Sequence, residues 1–275
     1  MTRDRTIHPL RRHYGAGPQQ IGHLHVSRQD PEHGTIVLFH GGFWRPHRGL
    51  SMTSDLATSL TRVGWNVWNV EYRRVGQGGW RDTLADSLAA VEHVEPLGAE
   101  FGIDTARLVI VGHSAGGHLA TWVTQEATRS GRAVQALVTL NGVLSLQVAA
   151  DLGVGDDAVT QFLGTDPDVA RSAFPSADPI ARLPMGTPIR CLHSRDDERV
   201  PYAVTASFTE AAASRGDDVE LIDIEGHHTA PIEVGSAAWQ KTMTTIESVR
   251  AGQTKLSLTQ NSSSGHSPRN RKVTP

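Results

Sequence analysis

The amino-acid sequence predicts an α/β fold with a mostly parallel central sheet and helices on both faces. Three observations carry this. Short apolar runs alternate with segments of helical period along the chain. Several of the runs are continuously apolar rather than alternating, as strands covered on both faces must be. One run leads through a glycine-flanked serine straight into a helical segment, the local signature of a tight strand-to-helix turn.

Taken in order, Ile21 to Val26 alternates apolar and polar residues and reads as a strand. Thr35–Phe39 (TIVLF) is a continuous apolar run bounded by Gly34 and by His40-Gly41-Gly42. A helical pattern from Ser51 to Val63 precedes the next strand, Trp65–Glu71, and Arg81–Leu97 is helical again. Leu108–Val111 (LVIV) is followed by a helix over Gly117–Ser130. Strands at Ala136–Leu140 and Ile189–His193, a helix from about Pro201, a strand at Val219–Ile224 and a helix over Ser236–Val249 complete the series. Between the strands ending at Leu140 and starting at Ile189 lie about four dozen residues, far longer than an ordinary loop. This lid-like insertion, about 143–187, contains short helix candidates at Ala158–Leu163 and Pro179–Leu183. The expected organisation is one domain over about 14–250, with a tail from Gln253 to Pro275 too polar to build a core and expected to be disordered.

Composition narrows the function classes. In 275 residues, 38% are hydrophobic, which suffices for a core, and 27 glycines with 14 prolines suit a loop-rich enzyme. A formal charge of −3 gives no case for nucleic acid as a partner. No apolar run reaches the roughly 18 residues of a membrane span. The basic first dozen residues lack the apolar stretch of a signal peptide. A single cysteine, Cys191, excludes an internal disulfide and agrees with a cytoplasmic setting. No feature indicates an oligomeric state.

The chemistry centres on Gly112-His113-Ser114-Ala115-Gly116, seated between the LVIV strand and the following helix. Bulky residues two positions either side of such a serine would strike neighbouring backbone, and glycine relieves the collision. A serine hydroxyl becomes a useful nucleophile only when an imidazole takes its proton, and that imidazole needs an orienting carboxylate. Both follow later strands, in the chain order Ser, Asp, His. Asp196 and Asp197 follow Ile189–His193, and His227 and His228 follow Val219–Ile224. Asp197 is preferred because it leaves a short turn before Pro201 opens a helix, with Asp196 as the alternative. Spacing alone leaves the two histidines open. Oxyanion donors are expected from the backbone N–H of Ala115 and from Gly42 and Phe43 after the TIVLF strand. Trp44 and His113 are assigned with them to the substrate pocket.

His40-Gly41-Gly42-Phe43-Trp44, Glu71-Tyr72-Arg73-Arg74, Gly112 through Ala120 and Asp197-x-x-Val-Pro together resemble the α/β-hydrolase esterases, most of all the kynurenine formamidase (arylformamidase)-like group. The resemblance runs from about Tyr14 to Trp239. It implies His228 as the catalytic histidine, counted back from Ala238-Trp239, and a two-step acyl transfer through an acyl-enzyme. Phe43 stands where formamidases commonly carry tyrosine. The implied substrate is a small carboxylic ester or amide, with arylformamidase activity as the alternative. From another class, the same fold would serve as a ligand receptor with vestigial turnover.

This chemistry requires no cofactor and no metal. His23 with His25, and His227 with His228, lack further ligands at metal-binding spacing. Cys191 lies in an apolar strand and reads as core. Gly76-Gln77-Gly78-Gly79 lacks the Lys-Ser/Thr of a phosphate loop.

Overall fold

The computed structural model describes residues 9–29 and 33–250; the tail and its expected disorder lie outside the described residues. Eight strands form one sheet: β1 (Leu10–His13), β2 (Ile21–His25), β3 (Thr35–Phe39), β4 (Asn66–Val70), β5 (Leu108–His113), β6 (Ala136–Leu140), β7 (Ile189–Ser194) and β8 (Val219–Ile224). Their spatial order is β1-β2-β4-β3-β5-β6-β7-β8. The β1–β2 and β2–β4 pairs are antiparallel and all others parallel. The predicted strands lie within a residue or two of the observed ones. The unpredicted strand, β1 (LRRH), carries no apolar pattern and is defined by its pairing, with Leu10 opposite Leu24.

The continuous apolar runs have a simple cause. Along β3, Ile36 and Leu38 join one core with Leu56, Leu60 and Ile246, while Val37 and Phe39 join the other with Trp68, Leu119 and Phe208. Alternate side chains point to opposite faces, and both faces are covered by helices, so every position must be apolar. The helices α1 (Ser54–Arg62) and α9 (Ala237–Arg250) cover the first face; α2 (Trp80–Glu92), α4 (Ala115–Arg129) and α8 (Tyr202–Ser214) cover the second. The expected single helix over 81–97 is two, because α2 ends at Glu92 and α3 spans Val94–Phe101. Pro96 explains the break: it has no N–H to donate, and in a continuous helix its ring would crowd the Glu92 carbonyl.

The insertion between β6 and β7 holds α5 (Leu146–Asp151), α6 (Val154–Leu163), α7 (Pro167–Ala177) and a short 3₁₀ turn, Pro179–Arg182. The helices α5 and α7 were not read from periodicity, although their caps are legible: Ser145 accepts from Val148 N–H, and Asp166 accepts from Asp168 and Val169 N–H ahead of Pro167. The insertion is tied to α4 by polar contacts. His118 Nε2–H donates to Ala177 O (2.9 Å), Trp122 Nε1–H to Ser176 O (2.8 Å) and Gln125 Nε2–H to Pro179 O (2.9 Å). Trp44 stacks on Phe162 at 4.5 Å and meets His118 edge-on, joining the loop after β3 to the same cluster.

Two predictions follow from this packing. A Cβ at Gly116 would sit 2.3 Å from Phe39 O and 2.4 Å from His40 O, so neighbouring backbone must move. Gly116→Ala is expected to cost about 1–3 kcal/mol, read as a fall of several degrees in the thermal midpoint. Gly79→Ala, with φ −85° and 3.9 Å of clearance at the N-cap of α2, loses only cap preference and should cost about 1 kcal/mol or less.

The second concerns acid. Burial lowers His25 and His118 to about 4 and His113 to about 3, from an ordinary value of 6.5. A histidine kept neutral in the fold binds its proton only on unfolding. Its contribution is therefore fully present above 6.5 and is lost as pH falls towards the folded value. Within that window each such residue should steepen the fall in unfolding free energy by about 1.4 kcal/mol per pH unit. Urea titrations from pH 7 to pH 4.5 should show His118→Gln with a slope shallower by about one proton; an unchanged slope would contradict the assignment.

Candidate active site

Parallel strands bring their carboxyl ends to one edge, and the loops after β3, β5, β7 and β8 meet there. Ser114 follows β5 at φ 57°, ψ −124°, a conformation L-residues rarely adopt. Three glycines make room for it. A Cβ at Gly112 would lie 2.1 Å from Gly116 O, and one at Gly41 would lie 2.7 Å from the Ser114 Cβ; Gly116 is pressed against the end of β3. The strained residue is held by Ser114 N–H to Leu140 O (2.9 Å) and by Gly117 and Val143 N–H to Ser114 O (2.8 and 3.1 Å). Ala115 opens α4, so its N–H belongs to the first turn, where a helix leaves donors free for a developing negative charge.

Of the two aspartates and two histidines, the fold joins Asp197 and His228. His228 Nδ1–H donates to Asp197 Oδ2 at 2.7 Å, and Asp197 Oδ1 accepts from the N–H groups of Arg199 (2.8 Å) and Val200 (2.9 Å). Burial pushes the Asp197 carboxyl up, but the hydrogen bond and charge of His228 and those two N–H groups outweigh it, holding the carboxyl below its ordinary value. With Nδ1 as donor, Nε2 of His228 is left as the acceptor. Asp196 is exposed, and the His227 side chain, 57% exposed, lies 3.4 Å from Glu233. Ser114 and His228 line one cavity of about 300 Å³. Among the described residues no hydrogen bond joins the Ser114 hydroxyl to the imidazole; in unliganded sites such contacts are often long and tighten with substrate.

The main chain of His228 is pinned on both sides. Its N–H donates to Glu198 Oε2 (3.1 Å), and its carbonyl accepts from Asn141 Nδ2–H (2.8 Å) and His113 Nε2–H (3.0 Å). His113 is fully buried beneath it, ring centroids 4.9 Å apart, and its Nδ1 has no hydrogen-bond partner among the described residues. Asn141, at φ 47°, also accepts Ser194 N–H at 2.9 Å, linking the β6, β7 and β8 loops.

Behind the loop after β3 lies a second buried network. His40 Nε2 meets Glu71 Oε1 at 2.9 Å, Arg74 lies 3.3 Å from the same oxygen, and Leu50 N–H donates to Glu71 Oε2 at 3.2 Å. Tyr72 stacks on His40 at 4.5 Å and its hydroxyl donates to His40 O (2.7 Å). Burial raises the Glu71 carboxyl, yet the bond and charge of His40 and the charge of Arg74 bring it below its ordinary value. The loop they anchor is strained: Gly42 has φ 115°, Phe43 53° and Trp44 55°.

Gly42, Phe43, Ser114 and His228 line the cavity, together with Gly155 and Asp156 of the insertion. The Phe43 ring lies against Gly155, where a Cβ would come within 2.6 Å of it. Trp44 and His113, expected in the pocket, are instead buried at 1% and 0% exposure and do not line this cavity. Trp44 is used as core because the left-handed turn at Gly42 to Trp44 rotates it inward onto Phe162. The roles of Asn141 and Glu198 carried no sequence signal, since each acts on the backbone of a residue remote in the chain. Glu71, Tyr72 and Arg74 were visible as a motif but not as the support of His40.

Comparison with known proteins agrees with this architecture. The chain is 27% identical to a probable isoprenylcysteine alpha-carbonyl methylesterase of Arabidopsis thaliana, over 78% of this chain and 49% of the relative. It is 26% identical to the esterase LipQ of Mycobacterium tuberculosis, over 66% of this chain and 46% of the relative. The chain thus spans about half the length of these curated relatives. Among solved structures, esterase B from Lactobacillus Rhamnosis superposes with TM-score 0.75 at 16% identity, covering 90% of this chain and 86% of that one. The native esterase Est2 of Thermogutta terrifontis superposes with TM-score 0.69 at 23% identity, covering 92% of this chain and 95% of that one. These similarities show the α/β-hydrolase fold. The BD-FAE family model matches residues 24–211, more than half of the chain, and the chain therefore belongs to the BD-FAE family.

Proposed function

We propose that this protein is a serine hydrolase that cleaves a small carboxylic ester through an acyl-enzyme on Ser114. The observation that carries the reading is the Asp197–His228 hydrogen bond of 2.7 Å in the cavity that the strained Ser114 also lines. Residues 14–250 act in this reading as one catalytic domain, with the 143–187 insertion forming part of the pocket wall.

In the first half-reaction His228 Nε2 takes the Ser114 proton as the hydroxyl oxygen attacks the ester carbonyl. The resulting oxyanion is held by the N–H groups of Ala115 and of Gly42 or Phe43, each such donor contributing about 3 kcal/mol to the transition state. His228 then gives the proton to the leaving alcohol. In the second half-reaction the same imidazole activates water, which releases the acid and restores Ser114. Asp197 keeps the proton on Nδ1 and stabilises the imidazolium, and the pinned His228 backbone holds the ring in place.

With p-nitrophenyl acetate and butyrate as substrates, Ser114→Ala and His228→Ala should lower kcat/KM by about 10⁴ or more, and Asp197→Asn by about 10⁴. His227→Ala should change it less than about threefold. Equal losses at His227 and His228 would count against the assignment. Turnover confined to N-formyl-kynurenine, with neither ester cleaved, would place the activity with the formamidases. Failure of a fluorophosphonate to label Ser114 in folded protein would favour a ligand receptor.

A further inference from the structure

The walls of the Ser114 cavity carry an unbalanced charge. Apart from His228, its ionisable side chains are Arg45, His47, Arg48 and Arg199, against the one carboxylate of Asp156. Arg45 donates to Gly155 O (2.6 Å), Asp156 O (3.1 Å) and Gln161 Oε1 (3.1 Å), all neutral acceptors that leave its charge uncompensated. Arg48 has no carboxylate within ion-pair distance among the described residues. Its stem lies against the oxyanion loop: a Cβ on Gly42 would come within 2.5 Å of Arg48 Cβ. Arg199 is partly balanced, with Nε 3.4 Å from Glu198, whose other oxygen accepts the His228 N–H. The neighbouring recess, which shares Met52 and Thr229 with this cavity, has the opposite character, carrying Asp55 and Glu233.

Resting on the serine-hydrolase reading, we propose that the substrate is an ester bearing a negatively charged group, a carboxylate, which Arg48 and Arg199 receive beside the Ser114 oxyanion site. A concave wall of one sign focuses its field and concentrates ligands of the opposite sign, and the effect weakens as salt screens it. The guanidinium groups also match a carboxylate in shape, offering paired N–H donors. The acid-lined recess sets the direction: the anionic substituent turns towards Arg48 and away from Glu233.

Two matched pairs test this and report which side of the ester bears the charge. The acyl-side pair is mono-p-nitrophenyl adipate against p-nitrophenyl hexanoate. The alcohol-side pair is 4-carboxyphenyl acetate against methyl 4-acetoxybenzoate. In at least one pair the charged ester should show kcat/KM about tenfold or more above its neutral partner at low ionic strength, the ratio shrinking as salt is raised. Arg48→Gln should lower that ratio about tenfold; Arg171→Gln, the same charge change at an exposed position of α7 that does not line the cavity, should not. A ratio at or below one in both pairs, or a ratio that Arg48→Gln leaves unchanged, overturns the anionic-substrate inference while leaving ester hydrolysis standing. If no ester is cleaved and Ser114 is not labelled by fluorophosphonate, the hydrolase reading itself falls, and this inference with it.

Discussion

The backbone of Ser114 sets conditions that the rest of the site must meet. A non-glycine residue at φ 57°, ψ −124° is strained, and strain of this kind persists only where the surroundings over-determine it. Here they do so from three directions. The strand β5 delivers the residue, α4 carries it away, and the β3 and β6 ends close in, with Gly41 against its Cβ and Leu140 O on its N–H. Gly112 and Gly116 exist to let strand and helix approach within backbone contact. The outcome is a hydroxyl raised at the sheet edge, next to the first turn of a helix and the N–H of Ala115.

Everything else at that edge is organised by buried polar contacts that fix main chain. The His228 backbone is held by Glu198, Asn141 and His113, so Asp197 need only set the tautomer and orientation of a ring whose backbone is already in place. The loop after β3 is held by His40, whose ring is clamped by Glu71 and Tyr72. His40, Glu71, Asn141 and His113 are costly to bury alone, and each finds a hydrogen-bond partner on a different strand loop. Satisfaction across loops makes their relative positions interdependent, and this is what a site needs if its parts come from residues 40, 114, 197 and 228. The insertion contributes differently. It packs Phe162 on the buried Trp44 and Gly155 against Phe43 at the cavity, and its carbonyls orient Arg45 at the cavity wall.

The places where sequence reasoning went astray share a cause. Trp44 and His113 flank residues of the site and were assigned to it by adjacency, yet a left-handed turn directs one into the core and strand alternation directs the other under His228. The edge strand β1 and the helix α5 are too short to show a period, whereas α7 does carry one in Ala170, Ala173, Phe174 and Ala177, masked in the sequence by its mostly small side chains and by Pro175 within it. The histidine pair was undecidable by spacing, because adjacent residues differ in which way they face, not in where they lie along the chain.

Local sequence determined what is local in physics: the two-faced burial of the strands, the break before Pro96, the helix caps, and the glycines around Ser114 that a tight turn demands. It also placed one serine, two aspartates and two histidines after strands whose ends share an edge. Only the tertiary structure decided which aspartate meets which histidine, that His113 and Asn141 support the His228 carbonyl, and that arginines from the β3 and β7 loops line one cavity. Those outcomes depend on distances between segments far apart in the chain. Such distances are set by how the sheet twists and how the loops pack, and no residue's neighbours in sequence encode them.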